Sequence, residues 1–372
     1  MEFKFFMPTK IFLGIGCVAQ NKNEFTHLGK RALIVTGRNS AMASGALLDI
    51  TTVLEDQKIA WELFDQIEEN PTFAAVEAGG DAARRFKPDM IIAIGGGSPL
   101  DAAKAIAVLA VNFIRASELY KGGFHAAPLP IVAIPLTAGT GSEVTPYSIL
   151  TDTEKQTKRS FSDPQIFPVV AFLDARYTQT QSRDVTVNTA VDALSHAIEG
   201  YMSKRSTLVS DCLALEAIRS FGKVRKALSL GSFNLTDREE LLYASLLGGI
   251  VIAQTGTTAV HALGYSLTYF YQVPHGRANG LLLGEYLRFN EPVVPEKVSA
   301  VLAALGLKTV NDIKELLVEL LPSSEVYTEQ ELQKFVSIAS ETANIVNTPR
   351  QPNKEDLYQL LKDSLSVNGQ VK

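Results

Sequence analysis

Four side chains in the second half of the chain have the types and spacing of a cation site. Asp192 and His196 stand four residues apart in NTAVDALSHAIEGYMS, which stacks both on one helical face. That run is apolar, so a carboxylate and an imidazole on its buried stripe need a reason. His261, in TTAVHALGYSL, and His275, in YQVPHGRANG, also sit among apolar residues. Taken singly, each reads as a neutral, satisfied core histidine. Taken together with Asp192, the three imidazoles form a nitrogen-rich donor set with one hard oxygen, suited to Fe2+ or Zn2+. His27 and His125 lie in polar or Gly/Pro-containing text and are expected at the surface.

The first half carries a different chemistry. In IIAIGGGSPLDAAK, Gly95, Gly96, Gly97 and Ser98 separate a strand-like run from a helical one. Pro99 suits a first helical position, and Ser98 with Asp101 resembles a capping pair. Free N–H groups at such a helix start suit an anion, most naturally a pyrophosphate. The spacing is neither GxGxxG nor a P-loop, and a plain tight turn explains the glycines as well. A second loop, AIPLTAGTGSEVT, alternates Gly139 and Gly141 with Thr137, Thr140, Ser142 and Thr145. Two such loops at adjacent strand ends favour a ligand over a turn. After LIVT come Gly37, Arg38, Asn39 and Ser40, with no carboxylate to hold a ribose 2′-hydroxyl. An arginine among neutral donors could accept a 2′-phosphate, or the segment is simply a polar loop.

The elements that must position these residues alternate regularly. RALIVT, IAWELFD, DMIIAI, LPIVAIP and VVAFLD read as strands. ALLDITTVLEDQ, TFAAVEAGGDAARRF and PLDAAKAIAVLAV read as helices between them, the pattern of a parallel sheet with helices on both faces. Beyond residue 174 the strand signals stop, and from about 183 the text is helical. We expect an α/β nucleotide-binding domain over 1–180 and an all-α metal-binding domain over 181–372. Hydrophobic residues make up 46% and charged ones 20% of the 372, which excludes a disordered chain. A net charge of −5 without basic clusters argues against nucleic-acid partners. Cys17 and Cys212 have no CxxC spacing, no signal-peptide core opens the chain, and no apolar run approaches a membrane span. These features predict a cytoplasmic protein without a membrane partner.

GGGSPLDAAK, PLTAGTGSEVT, VDALSHAIEGY and VHALGYSLTYFYQVPHGRANG, in that order and register, resemble the signatures of the iron-containing (group III) alcohol dehydrogenase family. NPT at 70–72 and DP at 163–164 fit as well. The resemblance implies a Rossmann-like NAD(P) domain and a helical metal domain, the dehydroquinate synthase-like architecture, with the active site in the cleft between them. It implies Asp192, His196, His261 and His275 as metal ligands, with Fe2+ or Zn2+ bound. It also implies cofactor contacts from Gly37, Asn39, Ser40, Pro71, Gly96, Gly97, Ser98, Asp101, Thr137, Thr140, Thr145 and Lys158. NADP is favoured over NAD, because the missing acid after the first strand goes with NADP in this family. A homodimer through the N-terminal strands is implied too.

Two positions depart from the family. A second histidine is usual four residues after the third metal ligand, where this chain has Tyr265. A phenol, with a reference pKa near 10, is a poorer base at neutral pH than an imidazole; Tyr265 is the candidate catalytic proton carrier. Leu136 stands where a threonine is usual. The expected reaction is hydride transfer between a small primary alcohol or aldehyde and NAD(P), the metal polarising the substrate oxygen. A zinc polyol dehydrogenase, or a dehydroquinate-synthase-like lyase, is the alternative of similar fold; a nucleotide-binding subunit without turnover is a remoter one. Ile250, Ile252, Tyr265 and Phe161 could line a substrate pocket or belong to the core.

Overall fold

The computed structural model describes residues 2–322 and 325–366. The chain forms two compact units. One comprises Met7–Thr137 and Gly141–Gln181; the other begins at Ser182 and takes in the N-terminal residues up to Phe6 and the short piece Ala138–Thr140.

The first unit is built on strands β1 (Lys10–Leu13), β2 (Arg31–Thr36), β3 (Ala60–Phe64), β4 (Met90–Gly95), β5 (Ile131–Pro135) and β8 (Val170–Leu173). All six are parallel, in the order β1-β8-β5-β4-β2-β3. Helices α1 (Ala46–Asp56), α2 (Phe73–Phe86) and α3 (Gly97–Val111) cover the sheet. The two-residue period of the strands divides the core. Leu33, Val35, Ile91, Ala93, Ile131 and Ala133 face the layer that holds Val76, Ile106 and Leu109. Ala32, Ile34, Met90, Ile92, Val132 and Ile134 face Ile50, Val53 and Leu54. Strands buried on both faces explain why the text here is continuously apolar rather than alternating.

Three strands escaped the sequence reading. β1 is an edge strand of four residues, and β6 (Tyr147–Asp152) and β7 (Thr157–Ser162) form a separate antiparallel pair. Their polar composition hides them, because only one side of the hairpin is buried. The expected capping pair at α3 is absent. Gly96 is the N-cap without a side-chain bond, and the helix begins at Gly97, two residues before Pro99.

The second unit is helical. Its main members are α4 (Arg183–Met202), α5 (Leu208–Leu230), α6 (Leu235–Thr255), α7 (Ala259–Tyr271) and α8 (His275–Asn290), followed among the described residues by four shorter α-helices from Pro295 onward. Ser182, Thr207 and Asn234 cap α4, α5 and α6 by accepting from backbone N–H groups in the first turn. Among the described residues no single helix is long and apolar enough to cross a membrane.

Candidate metal centre and nucleotide loops

Helix α4 supplies Asp192 and His196, α7 supplies His261, and α8 opens with His275. Asp192, His196 and His261 are buried and His275 is mostly covered. Asp192 Oδ1 lies 4.0 Å from His261 Nε2 and 3.9 Å from His275 Nε2. The three atoms all fall within 4.8 Å of one another. The His196 ring stacks on that of His261, with centroids 4.8 Å apart. All four expected ligands therefore lie in one unit, three of them with converging donor atoms.

The convergence has a measurable oddity. Asn279, fully buried on α8, places its Nδ2 3.0 Å from Asp192 Oδ1, 3.1 Å from His261 Nε2 and 3.3 Å from His275 Nε2. An amide nitrogen has two hydrogens, so it can serve at most two of these three atoms at once. A converging oxygen and two imidazole nitrogens are what a cation would complete, and the donor set fits a divalent ion.

The ring tautomers agree with this. His196 Nδ1 lies 3.2 Å from the Gly139 carbonyl, which can only accept, so Nδ1 carries the proton and Nε2 keeps its lone pair. His261 Nδ1 makes a short bond to Glu199. Burial holds the His196 pKa below its ordinary value. Burial acts the same way on His261, but the Glu199 carboxylate outweighs it and the pKa is raised. Glu199, though buried, is held below the usual carboxylate range by His261 and Thr258. The sequence reading missed Glu199 and Asn279. Both carried a signal: Glu199 is seven residues after Asp192 on the same stripe, and Asn279 is four after His275.

Glycines let these helices approach. A Cβ at Gly276 would stand 1.8 Å from the Asn188 carbonyl oxygen on α4, and one at Gly280 would meet Val191 at 2.5 Å. A Cβ at Gly139 would meet Thr189 at 2.6 Å, so only glycine brings its carbonyl to His196. Tyr265, half-buried on α7, stacks on His275 (5.4 Å, 9°) and stands edge-on to His261 (6.3 Å, 82°).

In the α/β unit the strand order reverses between β2 and β4, the switch point where open parallel sheets bind ligands. The loops that follow these two strands begin at Gly37 and Gly96, with Thr36 paired to Ile94. The next loop starts beside them, since Leu136 N donates to Gly95 O. A Cβ at Gly96 would meet Thr137 at 3.2 Å, and α3 opens with no side-chain cap on its first amides. A narrow glycine cradle ending in free helix N–H groups fits a dinucleotide pyrophosphate. Asn39 and Ser40 are exposed at the adjoining loop, where Arg38 also projects.

Other expected contacts make hydrogen bonds within the fold. Ser98 Oγ accepts from Asn70 N, and buried Pro71 accepts from Thr151 N. Asp101 is buried: its Oδ1 accepts from Ser142 and its Oδ2 from Ile149 N. Thr145 is buried too, its hydroxyl against Lys104 Nζ. Asp101 and Thr145 thus tie the second loop and the strand after it to α3. Thr137 and Thr140 are half-buried, and Lys158 is half-buried on β7. Phe161 packs with Tyr120 and Phe124 in the α/β core, and Ile250 and Ile252 are buried on α6. His27, in the short helix Asn23–Leu28, and His125 are both exposed as expected.

Residues 8–175 match the model for the iron-containing alcohol dehydrogenase, and residues 186–365 match that for the Fe-containing alcohol dehydrogenase family, C-terminal. The chain belongs to the iron-containing alcohol dehydrogenase family. It is 32% identical to 1,3-propanediol dehydrogenase of Citrobacter freundii, over 97% of this chain and 98% of that protein. It is 29% identical to the NADPH-dependent butanol dehydrogenase of Clostridium saccharobutylicum, over 96% and 97%. The crystal structure of an iron-containing alcohol dehydrogenase from Thermotoga maritima is 40% identical, with a TM-score of 0.91 over 98% of this chain and 99% of that one. As a member of this family the chain is an alcohol and aldehyde oxidoreductase, acting on CH–OH donors.

Proposed function

We propose that this oxidoreductase interconverts small primary alcohols and aldehydes at a divalent centre held by Asp192, His196, His261 and His275. The single observation behind this reading is the convergence of Asp192 Oδ1, His261 Nε2 and His275 Nε2 on Asn279 Nδ2, one atom more than its two hydrogens can serve. Iron is the first choice of ion and zinc the second. Bound there, the ion supplies Lewis-acid polarisation of the substrate oxygen, and the nicotinamide supplies or accepts the hydride.

The chain's own residues do the rest. Glu199 and the Gly139 carbonyl orient two of the imidazoles by taking their Nδ1 protons in hydrogen bonds. Tyr265, whose ring stacks on His275, relays the hydroxyl proton of the alcohol, its phenol oxygen accepting that proton as its own passes on to solvent, in the place where the family usually has histidine. The loops at Gly37–Ser40, Pro71, Gly96–Ser98 and Thr137–Thr140, with Lys158, hold the dinucleotide. Arg38, exposed beside Asn39, favours a 2′-phosphate and hence NADP over NAD. We further propose a homodimer through the open edge of β1, where Leu13 and Ile15 are exposed, and a cytoplasmic location, in keeping with two free cysteines.

The test is a panel of small alcohols and aldehydes run with NADH and NADPH on metal-depleted protein, then after adding back Fe2+ or Zn2+. Turnover restored only by metal is expected. Full turnover of chelated, metal-free protein would overturn the reading.

A further inference from the structure

We infer that Glu199 is a positioning residue that locks His261 in its Nδ1–H tautomer and thereby sets the affinity of the centre for its divalent ion. The inference rests on the metal reading above and adds a residue to it.

Asp192, His196 and Glu199 form one stripe of α4, at intervals of four and three residues, and Glu199 is fully buried. Its two oxygens have different tasks. Oε2 takes the short bond from His261 Nδ1. Oε1 accepts from Thr258 N at 2.8 Å and Thr258 Oγ1 at 2.6 Å, with His261 N at 3.4 Å. These amides open α7, so Oε1 closes the helix start that carries His261, while Oε2 aims the ring. The Thr258 hydroxyl is held in turn, 3.0 Å from the Tyr286 phenol. The donors on Oε1 stabilise the ionised carboxylate, which disfavours moving the shared proton onto Oε2. His261 Nδ1 therefore stays protonated, and the Nε2 lone pair stays aimed at Asp192 and His275. Outer carboxylates of this kind raise ligand basicity, and their loss costs metal sites about 10- to 100-fold in affinity.

Glu199 could instead serve only as a cap for α7, and an isosteric change separates the two roles. In Glu199→Gln the amide oxygen still accepts from Thr258, but the NH2 then faces His261 Nδ1 and must donate to it. That forces the proton to Nε2 and occupies the lone pair the ion needs.

The experiment measures Zn2+ and Co2+ dissociation constants by chelator competition for the wild type, Glu199→Gln and His261→Ala. The His261 tautomer is read separately from 15N shifts of metal-free protein, at alkaline pH where the ring is neutral. Expected are an Nδ1–H ring in the wild type, an Nε2–H ring in Glu199→Gln, and affinity about 10- to 100-fold weaker in that variant. Equal affinity in Glu199→Gln and wild type overturns the inference while leaving the centre standing. So does an Nε2–H ring in the wild type, a result that needs no variant to fold. If the wild type itself binds no ion, or His261→Ala binds as well as it does, the metal reading fails instead.

Discussion

Replacing Gly276 by alanine should dismantle the metal centre without touching any proposed ligand. The added Cβ would stand 1.8 Å from the Asn188 carbonyl oxygen and 2.9 Å from Asp192 Cβ. Real Cβ contacts essentially never fall below 3.0 Å, so α8 and α4 must part by at least 3.0 − 1.8 = 1.2 Å. Neither partner can yield cheaply, because Asn188 presents backbone within a helix. His275 is the next residue, and its Nε2 lies 3.9 Å from Asp192 Oδ1. Metal–ligand distances tolerate only about 0.2 Å, several times less than the required shift. Overpacking of this kind costs about 1–3 kcal/mol of stability, which a unit with this much buried apolar surface survives. The expected protein is folded, with a modestly lowered melting temperature, and has lost most of its metal affinity. Gly222→Ala is the control: its Cβ would meet the Ala304 carbonyl at 3.1 Å, a few tenths of an ångström too close, and away from the centre. The assay is chelator competition with Co2+, beside thermal melts with and without chelator. A folded Gly276→Ala protein with wild-type metal affinity would show that helix approach does not assemble the site.

Three further outcomes are expected. Tyr265→Phe should keep its metal and lower kcat by about 100-fold or more, with Tyr265→His restoring turnover; an unchanged kcat in the phenylalanine variant rules out the phenol as proton carrier. Arg38→Ala should raise the dissociation constant for NADPH about tenfold, a charge-assisted bond to phosphate being worth about 1.5 kcal/mol at an exposed site, and leave NADH binding unchanged; equal loss for both cofactors, by fluorescence titration, refutes the assignment. Burial raises the Glu143 pKa from 4.5 to about 7, against the attraction of Lys104. A carboxyl with a folded pKa above its unfolded value is protonated in the native state first, so stability falls as pH rises from about 4.5 to 7. The full cost is about 3 kcal/mol at pH 8. Glu143→Gln should therefore melt higher than the wild type at pH 8 and close to it at pH 4; the opposite order would show that the ionised carboxylate is the stabilising form.

Several features were legible before any coordinates. β2 coincides with RALIVT and α1, α2 and α3 with their periodic runs, because strands buried on both faces and amphipathic helices write their period directly into the text. The spacing of Asp192 and His196 was legible for the same reason: four residues on a helix is a local fact. What brought His261 and His275 to Asp192 was not local. It depends on Gly276, Gly280 and Gly139 meeting backbone or side chains up to 89 residues distant (280 − 191), and a glycine in a sequence does not announce what it approaches. Glu199 and His261 are 62 residues apart, so no window of the chain contains the pair. The same limit misled the local reading of Ser98 and Asp101. Their spacing has the form of a helix cap, yet in the fold stronger partners from distant loops, Asn70 for one and Ser142 with Ile149 for the other, take their hydrogen bonds. Residue types determined that this chain could bind a metal and a dinucleotide. Which of those residues come together was decided by tertiary packing, where partners compete for each polar atom across distances that sequence order does not measure.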